Sequence, residues 1–451
     1  MQDSATERAG RPESARRGAD AAPGLVRAIG RWDLTASVVN AVVGSAIFGM
    51  PAAVAALTGA WSPLAVLLAG VGIFPIVLCF AEVGSRFDAG GGPYLYARQA
   101  FGPAAGFQVG WLLLWTRLLT GAAVLNVLVT YLAQLVPWAG TPVGRALTMA
   151  AAIALVTAVN VLGVRQAART VNVFTVAKLL PLVLVIVLGA AYLRRDVLAA
   201  QVVAVPSWTE AVLLLVFAYG GFESAVIAAG ETRRPRQDTA FALVAAMIVI
   251  TAVYALVQLA VVGVLPNAAA SRAPIADALQ ATLGVGGTVI GSVAAVVSTY
   301  GWLTGFALLT PRVAHSMAER GELPALFGRV HAEFRTPYVA IVACTLLALA
   351  LGVYGTFTVT ATLSAIARLV IYVATCGALV ALRRRGELPA GCLLPGGPLL
   401  AAAGIAFAAW LLSTRNLTQA WIVGAIVASG AVVWLVVRGS AARRQAAGPS
   451  T

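Results

Sequence analysis

The chain is a succession of long apolar runs separated by short polar connections, many of which carry arginine. A helix needs about 20 apolar residues to cross a hydrocarbon layer about 30 Å thick. On that rule the pattern predicts spans near 34–58, 63–87, 104–136, 144–163, 170–193, 207–233, 236–264, 284–317, 338–353, 356–382, 397–413 and 417–438. The expected fold class is therefore an all-α polytopic membrane protein of about twelve transmembrane helices. Residues 1–33 read as a cytoplasmic disordered tail rather than a cleaved leader, because they hold Ser, Ala, Gly, Pro and Arg with little apolar content. Residues 439–451 read as a second cytoplasmic tail.

Composition agrees. Of the 451 residues 60% are hydrophobic and 11% charged, against roughly 45–50% and 25% in soluble domains. The net charge of +14 would raise the question of nucleic acid, but the basic residues gather on no polar domain and none is expected as a partner. Their distribution reports topology instead. Of 31 Lys and Arg, 23 fall on the N-terminal tail, the even-numbered loops and the C-terminal tail, and five on the opposite side. By the positive-inside rule both termini are cytoplasmic, in a bacterial-type inner membrane.

Two spans are interrupted in related places. In the first, the run from Asn40 to Pro51 puts Gly44, Gly49 and Pro51 at membrane depth, and in the sixth Gly220 and Gly221 follow Phe217-Ala218-Tyr219. Glycine and proline weaken helix continuity. Taken singly, such residues serve kinks or close packing in membrane helices, which is the reading for Gly102, Gly106 and Gly110 at the start of the third span. Paired breaks five helices apart are what two inverted five-helix repeats produce, here 34–193 and 207–383, followed by an extra pair over 397–438, with a site at the midplane. Free N–H groups at a half-helix start favour a carboxylate, and free carbonyls favour an ammonium group. A zwitterionic amino acid supplies both.

At these residues the chain resembles the amino acid/polyamine/organocation transporter superfamily over about 34–385. The resemblance rests on Gly44-Ser45-Ala46-Ile47-Phe48-Gly49, Ala81-Glu82-Val83-Gly84-Ser85-Arg86-Phe87, Gly90-Gly91-Gly92-Pro93-Tyr94, Gly221-Phe222-Glu223-Ser224-Ala225 with Gly230-Glu231, and Met317-Ala318-Glu319-Arg320-Gly321. It implies a 5+5 inverted-repeat (LeuT-like) core. It also implies that the substrate carboxylate meets N–H groups of Gly44, Ser45 and Ala46, that the ammonium meets carbonyls of Val42, Phe217 and Gly220, and that the Phe217 ring covers the site. Many relatives have Gly where this chain has Ala46, and the added methyl narrows that approach.

Lys178 is the sole lysine and lies inside the fifth span, where a cation costs roughly 2.5–3.5 kcal/mol on insertion scales. Members of the superfamily that lack sodium dependence carry a lysine at a matching place, so the resemblance implies proton coupling, with a fixed structural cation as the alternative. Glu223 is a second intramembrane ionisable group, and in related transporters a glutamate there acts as a proton-responsive gate. Glu82 and Arg86 have salt-bridge spacing and, with Glu231, are expected to form a gate network at the cytoplasmic end. Arg117 and Arg368 are intramembrane cations with no role assigned, outside the expected site. The pocket wall is expected near Asn126, Ser298 and Thr362. With Glu223 the single mid-membrane carboxylate, neutral amino acids are favoured over cationic ones.

Other classes fit poorly. There is no phosphate-binding loop ahead of the one lysine, and no nucleophile, base or metal cluster within the spans. Filter loops of a channel are missing as well. No catalytic residue, cofactor or metal is expected. The expected function is secondary transport of amino acids with protons, by a monomer or homodimer in the lipid bilayer, the alternatives being an amine or polyamine permease or a sodium-independent amino acid exchanger.

Overall fold

Each of the twelve expected spans has a helix in the computed structural model of the chain, which describes residues 30–87, 92–162, 180–201, 203–223, 226, 232, 234–386, 388 and 390–446. The first span is two helices, α1 (Arg31–Val42) and α2 (Ala46–Thr58). The second, α3 (Ser62–Gly84), follows through one 3-10 turn. The third and fourth are α5 (Pro103–Leu135) and α6 (Pro142–Leu162), and α7 (Leu180–Ala191) is the described part of the fifth. The sixth begins with α9 (Trp208–Tyr219). Then come α10 (Pro235–Val264), α12 (Val285–Glu319), α13 (Tyr338–Tyr354), α14 (Phe357–Arg385), α15 (Gly397–Ser413) and α16 (Leu417–Ala446). Three further helices, α4 (Gly92–Phe101), α8 (Arg195–Ala200) and α11 (Pro274–Leu283), lie in connections that hydropathy alone reads as loops, because they are too short to span. Among the described residues the elements are helices only.

Local chemistry sets several boundaries. Proline opens α5, α6, α10 and α11, where its missing N–H is not needed. The Thr356 hydroxyl accepts from the Val359 N–H at 3.3 Å and caps α14, which ends on left-handed Gly386 with three arginines in its last turn, a favourable pairing with the helix dipole.

The bundle is centred on α5. Within its most apolar stretch 83% of residues are buried, against 22% for α6 and 17% for α16. The outer helices present Leu147, Leu155, Leu435 and Val436 outward, as lipid contact requires. Gly106 and Gly110 of α5 lie under Arg98 and Tyr94 of α4, so this glycine face packs a neighbouring helix.

Both expected breaks are present, and they touch. Between α1 and α2 the Gly44 N–H donates to the Val42 carbonyl at 2.7 Å around Val43 at φ −70°, ψ 80°, an inverse γ-turn. Beyond Tyr219 the chain leaves the helix with Gly221 at φ +118°. A Cβ at Gly221 would stand 2.9 Å from the Ala41 carbonyl oxygen. Only glycine lets the sixth span's backbone lie against the end of α1 in this conformation.

Candidate functional site

A cavity of about 310 Å³ lies at these two breaks, within the size range of small-molecule sites. Val42, Gly44, Ser45, Ala46, Phe217 and Gly220, the expected substrate residues, all line it. The start of α2 supplies the positive end of a helix dipole, and the N–H groups of Ser45 and Ala46 stand where intrahelical acceptors run out. Two details depart from expectation. The Gly44 N–H is already spent on Val42, which removes one expected carboxylate donor. The Val42 carbonyl also accepts from the Tyr254 hydroxyl at 2.8 Å, and the Phe217 carbonyl accepts from Gly220 at 3.1 Å, so two of the three ammonium acceptors are engaged. Tyr254 reaches the Ala218 carbonyl too, at 3.2 Å, fastening the end of α1 to the end of α9.

On one side the cavity is closed by aromatic packing. The Phe217 and Phe357 rings meet edge to face at 6.2 Å, and Phe357 fills the space beside Gly49, where a Cβ would come within 2.7 Å of it. On that side α2 is tied down: its Phe48 carbonyl accepts from Tyr131 at 2.7 Å and its Pro51 carbonyl from Gln258 at 3.0 Å. On the other side the lining continues along α1 through Ser37 and Asn40.

The main correction concerns charge. Arg117 and Arg368, left outside the expected site, both line the cavity together with Glu223. Arg368 donates to Glu223 in a buried ion pair whose side chains are 7% and 8% exposed, and the second Glu223 oxygen accepts from the Gly221 N–H at 2.9 Å. Both Glu223 oxygens are therefore engaged. Trp302, which sequence reasoning did not single out, packs against Gly44 at 3.3 Å from the position of a Cβ there and stacks on Phe306 at 5.7 Å. Of the expected wall residues, Ser298 lines the cavity, its buried hydroxyl lacking a partner among the described residues. Thr362 is not in the lining. Asn126 is turned elsewhere, donating to the Ala122 and Gly352 carbonyls at 2.8 and 3.2 Å and accepting from Arg145.

At the end of α3, Glu82 is fully buried and bonded to Arg86 at 3.0 Å. Its other principal partner is Arg383, at 2.6 and 2.5 Å, which sequence spacing had no means of showing. The segment after α14 joins in: the Leu394 N–H donates to Glu82 at 3.1 Å and Arg86 donates to the Leu388 carbonyl at 2.6 Å. The third expected gate residue, Glu231, and the expected coupling residue, Lys178, lie outside the described residues.

A multi-pass helical bundle with a broken helix exposing backbone at a central cavity is the architecture of a membrane transporter. The profile of amino acid permeases matches residues 29–439, and the chain belongs to that family, within the amino acid/polyamine/organocation superfamily. It is similar to the serine/threonine exchanger SteT of Bacillus subtilis (strain 168), with 29% identity over 402 residues covering 85% of this chain and 90% of that protein. It is also similar to that organism's branched-chain amino acid permease BcaP, at 25% identity over 436 residues, 92% and 91% of the two chains. A putative arginine/ornithine antiporter of the same organism is 29% identical over 353 residues, 69% of this chain and 74% of its own. These relatives are transporters and exchangers of amino acids, and the chain is a transport protein rather than an enzyme.

Proposed function

We propose that this chain is a secondary transporter of amino acids lacking a cationic side chain, neutral ones by the sequence reading, working by alternating access between two five-helix inverted repeats. The observation that supports it best is the cavity at the broken first span, where the α2 start offers Ser45 and Ala46 N–H groups to a carboxylate. Cationic side chains are disfavoured because Glu223 is already paired with Arg368, which leaves no free acceptor charge for them among the described lining residues. The cavity's extension past Ser37 and Asn40, with the Phe217–Phe357 side closed, matches a state open toward the N-terminal side, the cytoplasm by the positive-inside rule.

Protons are the proposed coupling ion, with Lys178 and Glu223 as their carriers. The second reading, sodium-independent exchange, draws on the names of two relatives, an exchanger and an antiporter. The test is uptake of radiolabelled amino acids and amines into proteoliposomes without sodium, with and without an inward proton gradient. Gradient-stimulated uptake supports symport, and gradient-blind uptake that needs internal amino acid supports exchange. Uptake of amines with no amino acid uptake refutes the proposal. Lys178→Ala is expected to abolish uptake or its pH dependence, and unchanged pH-dependent uptake would remove Lys178 from the coupling role.

A further inference from the structure

Three charged side chains line the cavity among its described residues: Glu223, Arg368 and Arg117. Glu223 and Arg368 neutralise each other. Arg117 is left over. It sits on α5, the most buried helix, beside Thr116 and Thr120, which also line the cavity. Those two hydroxyls are committed to holding α5 against itself and α14: Thr116 donates to the Leu113 carbonyl at 2.8 Å, and Thr120 bonds the Thr116 carbonyl at 2.7 Å and the Ser364 hydroxyl at 3.0 Å. Electrostatically Arg117 is drawn to Glu223 and repelled by Arg368. Among the described residues its guanidinium makes no hydrogen bond or salt bridge.

A guanidinium at membrane depth is costly unless it is paired, and it holds out five N–H donors in a plane that matches a carboxylate. A neutral amino acid is a zwitterion. Its carboxylate and ammonium cancel, and the loaded cavity would keep one uncompensated positive charge. An amino acid whose side chain also ends in a carboxylate brings a net charge of −1, and the loaded cavity is then neutral. The Ser298 hydroxyl, on the same cavity, buried and without a partner among the described residues, adds a donor for such a group.

We propose that Arg117 is a side-chain subsite for acidic amino acids: the α-carboxylate lies at the Ser45–Ala46 helix start and the side-chain carboxylate is forked on Arg117. This rests on the amino acid reading above and carries it one step past neutral substrates.

Acids and their amides have nearly the same size and differ in charge, so they isolate the subsite. The experiment is calorimetric titration of the purified full chain with L-aspartate, L-asparagine, L-glutamate, L-glutamine and L-serine. The acids are expected to bind about tenfold or more tightly than the amides, the effect of one charge-assisted pair. Arg117→Gln should bring that ratio close to one, and Arg117→Lys, which keeps the charge but loses the fork, should retain part of it. Amides binding the wild type as tightly as acids overturns the subsite while leaving amino acid transport intact. Acids and amides weakening in parallel in Arg117→Gln also overturns it, since Arg117 would then hold the α-carboxylate. Should Arg117→Gln fail to fold, the acid-to-amide ratio of the wild type decides. Binding of none of the five also overturns the subsite, and the uptake panel above then decides the amino acid reading separately.

Discussion

Replacing Glu223 by glutamine tests the centre of the site. One Glu223 oxygen accepts from Arg368 and the other from the Gly221 N–H at 2.9 Å. An amide has one acceptor oxygen and one donor nitrogen, so it must turn its NH2 toward either the guanidinium or the Gly221 N–H, and either choice sets donor against donor. Arg368, 7% exposed at its side chain, then keeps a charge with no counter-ion. Breaking a buried pair from one side costs about 3–5 kcal/mol. In this cavity Arg117 adds repulsion that Glu223 otherwise offsets, which places Glu223→Gln toward the upper end of that range.

The reverse variant, Arg368→Gln, should cost less, about 2 kcal/mol, because Glu223 still faces Arg117, the second cation of the cavity, and the new amide can donate to it. The double variant replaces the ion pair with two amides that can bond each other, and its cost should fall below that of Glu223→Gln alone. The assay is a double-mutant cycle on reversible unfolding in mixed micelles, followed by loss of helicity as denaturing detergent is added. A coupling energy of about 2 kcal/mol or more is expected. If the single effects add within about 0.5 kcal/mol, the usual tolerance for independent sites, the two groups do not act as a pair and the charge accounting of the cavity falls.

Gly221→Ala should cost about 1–3 kcal/mol of stability, the range for a non-glycine residue forced into a disfavoured backbone region, and should stop uptake by separating the two breaks. A thermal midpoint and uptake rate equal to wild type would rule out the contact with Ala41. Glu82→Gln leaves both Arg86 and Arg383 without their shared anion and should cost about 3–5 kcal/mol. It should also speed proteolytic cutting in the chain between α14 and α15, whose Leu394 N–H is held by Glu82. An unchanged cutting rate would show that this segment is held by other contacts.

What the sequence disclosed and what it withheld divide along a physical line. A break in a membrane helix frees backbone groups that must be satisfied locally, so its location is written in nearby residues, and Gly44 and the Gly220–Gly221 pair marked both breaks. The cost of burying a charge is equally local, and Arg117, Arg368 and Glu223 were visible as intramembrane charges. What neutralises each charge is a tertiary matter. Arg368 meets Glu223 across 145 positions and Arg383 meets Glu82 across 301, and no spacing rule reaches that far. The expected partner for Glu82 was therefore its i+4 neighbour Arg86, which is present but is only part of the network.

Gly220 shows how the two kinds of information combine. As a sequence feature it marks a break in the sixth span, and its carbonyl was the part expected to matter. In the structure a Cβ at Gly220 would overlap the Arg368 guanidinium. The missing side chain is therefore the gap through which Arg368 reaches Glu223. The glycine that interrupts the helix is also the one that allows Glu223 to be paired, and it is this pairing that leaves Arg117 as the uncompensated charge among the pocket's described residues.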